Sequence, residues 1–191
     1  SNKRQAISRW NKEREKTRAS YASDIVKLYK EDTGKDIVPT QTDVLKFELW
    51  EEQRHICLYT GEQIGITDFI GPNPKYDIEH TVPRSVGGDS TLENMTLCSS
   101  RFNRDIKKAK LPSELANHDE IMARLDTWKE NIEKLRKEAD KIHTYSSMDK
   151  GVKDGLIQKR HRIRLELEYW EGKYKRFKMT EVPEGFSRRQ G

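Results

Sequence analysis

Apolar positions recur at helical spacing toward both ends of the chain and alternate only briefly in its middle. Ile7, Trp10, Tyr21, Ile25 and Leu28 form an incomplete stripe that predicts a charged helix over residues 3–31. The stretch DTGKDIVPT, 32–40, breaks it. Thr40 is then a helix cap, with Asp43 three residues on as its capping-box partner, for a helix to about Arg54 that buries Val44, Phe47 and Trp50. ICLYT, 56–60, reads as a short strand ending at Gly61, and GITDFIGPNPK as loop.

In YDIEH, 76–80, Tyr76, Ile78 and His80 alternate with Asp77 and Glu79, which is the period of a strand. Pro83 and Gly87-Gly88 open a loop, MTLCS at 95–99 is a second short strand, and Ser99 or Ser100 caps a helix to about Lys110 that Pro112 ends. Beyond it, Ile121, Leu125, Trp128, Ile132, Leu135, Ala139 and Ile142 alternate in steps of four and three, predicting one helix of roughly 26 residues. Ile163, Leu167, Trp170, Tyr174 and Phe177 mark a second stripe, and HTYSSMDKG between the two is a turn, so the pair reads as an antiparallel helical hairpin. VPEGFSRRQG has no periodicity and reads as linker. The fold class expected is α+β, predominantly α.

Composition sharpens this picture without changing it. The 191 residues are 33% hydrophobic and 36% charged, which points to a modest core under long solvated helices. Net charge is +5, with basic clusters at RDIKKAK, KRHRIR and KYKRFK, so an anionic partner is allowed but not required. Cys57 and Cys98 are too few for a disulfide framework and form no CxxC pair, so no structural zinc is expected and both read as small buried residues beside the strands. No apolar run has membrane length, and a reducing cytoplasm is the simplest setting.

The chemistry concentrates in the strand-loop-strand-helix unit at 76–110. Hydrolysis of a phosphodiester needs an activated water, charge neutralisation on the phosphoryl group and help for the leaving oxygen. A histidine with its ordinary pKa is a base at neutral pH, and a carboxylate and an amide oxygen are hard ligands suited to Mg²⁺. On a strand, Glu79 and His80 point to opposite faces. Asn94 and Asn103 follow His80 by 14 and 23 residues. Taken singly, each of these residues has a bland reading as a turn or surface group; together they are a candidate site. His55, His118, His143 and His161 have no ligand partners at metal spacing and read as surface or core histidines. Arg84, Arg101, Arg104, Lys107, Lys108 and Lys110 flank the site and are either phosphate contacts or a solvated basic face.

YDIEHTVPRS and LENMTLCSSRFNRDIKKAKLPSE resemble the ββα-metal core of HNH nucleases, and more narrowly the HNH domain of CRISPR type II RNA-guided DNA endonucleases. CLYTGEQI at 57–64 is similar to the segment preceding that site, NKRQAISRWNKEREKTR to its helical entry linker and EGFSRRQ to its return linker. The resemblance divides the chain into an entry linker helix (1–40), a nuclease core (41–116), a helical hairpin lobe (117–177) and an exit linker (178–191).

It implies His80 as general base, Glu79 and Asn103 as ligands of a single Mg²⁺ (with Mn²⁺ substituting), Asn94 as the residue that ties the loop down, and Asp77 near the metal. The family commonly has Asp where Glu79 stands. Its partners would be the target DNA strand in an RNA–DNA heteroduplex, guide RNA through the full-length enzyme, and the RuvC-like domain of the parent chain, in a prokaryotic cytoplasm, with the isolated domain a monomer. The competing readings are a free-standing homing or restriction HNH nuclease, which needs its own DNA-reading element, and a non-catalytic helical nucleic-acid-binding module, indifferent to substitution of His80 or Asn103.

Overall fold

The computed structural model describes residues 1–186; the last residues of the expected exit linker, 187–191, lie outside them. Among the described residues, six α-helices surround one small sheet: α1 (Asn2–Thr33), α2 (Gln41–Glu52), β1 (Tyr76–His80), β2 (Met95–Ser99), α3 (Ser100–Phe102), α4 (His118–Ala123), α5 (Asp126–Asp140) and α6 (Lys150–Lys178). The fold is thus mostly helical, with a single two-stranded antiparallel sheet among the described residues.

Helix α2 starts where its capping box places it. Thr40 Oγ1 accepts from Asp43 N, and Asp43 Oδ2 accepts from Thr40 N, each at 3.0 Å. The helix buries Phe47, Leu49 and Trp50, and Trp50 Nε1 donates to Ile64 O at 2.8 Å, so the indole pays no desolvation cost for its polar edge. Residues 56–60 are not a strand. Ile56 makes one isolated bridge to Gln63, and Cys57, Leu58 and Tyr59 are all buried in a tight turn closed by Gly61 N to Cys57 O at 2.8 Å. Three consecutive side chains enter the core there, which a strand with one solvated face does not permit.

The strands pair in the register Tyr76↔Ser99, Ile78↔Leu97 and His80↔Met95, which sets Glu79 opposite Thr96. The free edge of β2 is covered by a side chain: Gln53 Oε1 accepts from Leu97 N at 2.7 Å, and its Nε2 donates to Leu97 O at 2.9 Å. One amide thus satisfies the strand as a third strand would.

The expected helix over 100–110 is shorter and of mixed type. Ser99 caps it, α3 passes directly into a π-helical turn at Asn103–Lys107, and Lys108 ends it with φ 51°. The expected helix of roughly 26 residues is broken into α4 and α5. At the break, Arg124 N and Leu125 N turn back onto the carbonyls three residues earlier, and Arg124 Nη1 donates to Leu58 O at 2.8 Å. That tertiary bond holds the chain in the kink.

Helices α5 and α6 form the antiparallel hairpin, with Trp128 against Trp170 and Phe177. Helix α1 lies alongside α6 in the same direction, joined by Asn2–Asp154 and Glu13–Arg162 contacts. One connected core runs through α1 (Ile25, Tyr29), α2, the 57–70 segment, the sheet and the C-terminal end of α6 (Phe177). Cys57 and Cys98 are buried in it as free thiols.

Candidate active site

Glu79 sits near the end of β1 and faces inward, 1% exposed. Its Oε1 accepts from the Tyr59 hydroxyl at 2.9 Å and forms an ion pair with Lys107 Nζ at 2.8 Å. Its Oε2 accepts a short hydrogen bond from the Thr96 hydroxyl, the residue opposite it in the strand register. Burial and the nearby carboxylate push the Tyr59 phenol well above its ordinary pKa, so it stays a donor to Glu79. Lys107 is equally buried, and its ammonium also donates to His80 O at 3.0 Å. Carboxylate, ammonium and two hydroxyls form a closed polar cluster inside the core.

His80 is half-buried at the strand end. Its Nε2 is enclosed and has no hydrogen-bond partner among the described residues. Its pKa is lowered, first by burial and then by the positive charges of Arg84 and Lys107, with Glu79 and Asp89 opposing. The ring is therefore neutral at pH 7 and has a lone pair to offer.

The loop after His80 is fixed by Asn94, which is fully buried. Asn94 Oδ1 accepts from Val82 N at 2.8 Å, and Nδ2 donates to Val82 O at 2.9 Å and Asp89 O at 2.8 Å. Gly88 closes the same loop. A Cβ there would stand 1.7 Å from Val82 O, so the approach of the two backbones admits only glycine.

Two residues that sequence reasoning did not single out hold the loop from behind. Lys173 and Arg176 of α6 are both fully buried. Lys173 Nζ donates to Met95 O at 2.7 Å and Leu92 O at 3.2 Å, and it lies 3.1 Å from Glu52 Oε1 as an ion pair without hydrogen-bond alignment. Arg176 pairs with Asp89 at 3.6 Å. Both stand beside the stripe Trp170, Tyr174 and Phe177, a position that could have marked them as inward-facing. Thr96 could have been found from the strand register; Tyr59 left no signal.

The other expected site residues are placed as follows. Asn103 opens the π turn, half-buried, with no side-chain hydrogen bond among the described residues. Asp77 faces solvent, paired with Lys46 at 3.3 Å, and makes no bond to Glu79, His80 or Asn103. Arg84, Arg101, Lys108 and Lys110 are exposed, and Arg104 is exposed and paired with Asp105. Lys107 departs from the expected phosphate contact in this arrangement, where its side chain is 1% exposed and bound to Glu79. His55 stacks on Trp50 at 3.4 Å, and His118 Nε2 bonds Phe177 O at 2.7 Å, both structural roles.

Glu79 and Asn103 are hard oxygen donors of the right type for a divalent cation, but both Glu79 oxygens are taken in this arrangement. No group of three or more His, Cys, Asp or Glu among the described residues is spaced to hold a metal. An ion at Glu79 therefore requires Lys107 to leave.

Residues 57–113 match the family described as HNH endonuclease. Over 60 residues the chain is 35% identical to CRISPR-associated endonuclease Cas9 1 of Streptococcus thermophilus, covering 31% of this chain and 5% of that protein. Over 123 residues it is 26% identical to CRISPR-associated endonuclease Cas9 of Staphylococcus aureus, covering 64% of this chain and 11% of that protein. The chain thus spans a small fraction of the length of these relatives. Its fold is similar to part of the crystal structure of Streptococcus thermophilus Cas9 in complex with the AGAA PAM, with a TM-score of 0.53, 18% identity, and coverage of 87% of this chain and 17% of that one.

Proposed function

We propose that the chain carries an HNH endonuclease domain of the type found in Cas9. From that premise we propose that it hydrolyses a phosphodiester of DNA, and that within a longer RNA-guided enzyme it cuts the strand paired with the guide. The observation that carries the reading is His80: a neutral imidazole whose Nε2 has no hydrogen-bond partner among the described residues, beside a buried carboxylate, next to a loop that Asn94 pins. In this reading His80 takes a proton from water as the water's oxygen attacks phosphorus in line. The bond to the 3′ oxygen breaks, leaving a 5′-phosphate and a 3′-hydroxyl.

Asn94 holds the 81–89 loop so that the imidazole keeps its aim. Tyr59 and Thr96 hold the Glu79 carboxylate oriented. Glu79 and Asn103 would hold the divalent cation on which HNH nucleases generally depend, Mg²⁺ or Mn²⁺, and bound there it supplies charge neutralisation for the phosphoryl group. Arg84, Arg101, Lys108 and Lys110 are exposed around this end of the molecule and suit contacts to the nucleic-acid backbone.

The test is cleavage of a labelled DNA strand by the 191-residue chain in Mg²⁺ or Mn²⁺, beside His80→Ala and an EDTA control. Removal of the base is expected to lower the rate on the order of 10²–10⁴-fold. Cutting at equal rates by both proteins would overturn the assignment.

A further inference from the structure

The position of Lys107, buried against Glu79, contradicts its chemistry as a surface cation. Its ammonium is met by a carboxylate oxygen of Glu79 at 2.8 Å and a backbone carbonyl oxygen of His80 at 3.0 Å, with the Tyr59 ring face behind it at 6.0 Å. Hard anionic and carbonyl oxygens converging on one point are what a divalent cation also takes. The two cations exclude each other, because like charges that close in a buried site repel strongly.

We propose that Lys107 is a built-in counter-ion that occupies the cation position of Glu79, and that the divalent ion enters by exchange with it. This rests on the reading of Glu79 as a ligand. The local backbone supplies the means of exchange. Lys107 is the last residue of a π turn that Asn103 opens, closed by Lys108 N to Asn103 O at 2.8 Å. Lys108 then adopts φ 51° with ψ −130°, a positive-φ conformation that a lysine rarely holds. Rewinding this turn to α-helical spacing swings Lys107 away from Glu79 and, in the same motion, re-aims the Asn103 carboxamide.

Withdrawal of Lys107 and arrival of the second protein ligand are one event. Charge follows the same logic. With Lys107 in place, the Glu79 pair is neutral; after exchange, the cation and a solvent-facing Lys107 both stand ready for phosphate. The site gains positive charge only when it is loaded.

The experiment is Mn²⁺ binding to the whole chain, read by electron paramagnetic resonance of the free ion, for wild type, Lys107→Met, Glu79→Gln and the double variant. If the lysine-docked state holds about 90% or more of the wild-type population, Lys107→Met binds Mn²⁺ roughly tenfold tighter or better, and Glu79→Gln abolishes the gain. If Lys107→Met is unfolded in EDTA, Mn²⁺ restores its circular dichroism; a variant that stays unfolded in Mn²⁺ overturns the proposal. No gain in Lys107→Met, with wild-type binding still lost in Glu79→Gln, sinks the exchange and leaves Glu79 a ligand. A gain that survives Glu79→Gln sinks the ligand reading itself, and the exchange with it.

Discussion

Replacing Asn94 by alanine isolates what holds the loop beside His80. The side chain is fully buried and makes three hydrogen bonds, two to the backbone of Val82 and one to Asp89 O. Alanine leaves the buried Val82 N–H and Val82 O, and the part-buried Asp89 O, without these partners. Three lost bonds at about 1 kcal/mol each, plus the desolvation of the groups left unpaired, give about 3–5 kcal/mol. Asn94→Asp retains the acceptor for Val82 N but sets a negative oxygen against two carbonyls, so it should be no better. Urea unfolding followed by circular dichroism reads the loss, and DNA cleavage under native conditions reads the misplacement of His80. A destabilisation under about 1 kcal/mol would refute the argument, because it would mean that water or a neighbour satisfies those groups.

Gly88→Ala should destabilise by about 2–4 kcal/mol and lower cleavage, since its Cβ would lie 1.7 Å from Val82 O; thermal melting measures it. Lys173→Met should cost roughly 3–5 kcal/mol in urea unfolding, because Glu52 keeps a buried charge and Met95 O loses its donor. His80 has a folded pKa below the ordinary value near 6.5, so the unfolded chain binds more protons between the two values. Its contribution to stability is present above about pH 6.5 and is lost as pH falls through the folded pKa, and the acid limb of the cleavage profile should lie below about pH 6.5.

The two strands were legible because Tyr76, Ile78 and His80 alternate cleanly, and the start of α2 because Thr40 and Asp43 sit at capping spacing. The break between α4 and α5 was not. No Pro or Gly stands there, and the heptad continues across it; the kink depends on Leu58 O, a partner 66 residues away in sequence. Residues 56–60 misled for a related reason, since an apolar run is consistent with a strand or with a buried turn and periodicity cannot separate them. The candidate site was legible as residue types, with His80, Glu79 and Asn94 in one unit. Its wiring was not. A lysine among lysines gives no hint that Lys107 turns inward, nor that Lys173 and Arg176 reach the loop from positions 78 and 87 residues beyond Met95 and Asp89.

Those interior cations divide the response of the molecule to ionic strength. Charges on Lys107, Lys173 and Arg176 are sealed from solvent, where mobile ions screen little, whereas Arg84, Arg101, Lys108 and Lys110 stand in water, where a Debye length of about 8 Å at physiological salt governs them. If these residues hold a polyanion as proposed, added electrolyte weakens that grip by counterion competition while the scaffold beneath is left almost untouched. Attachment and architecture answer to separate controls, and a polyanion can be shed by salt alone without loosening the frame that aims the imidazole.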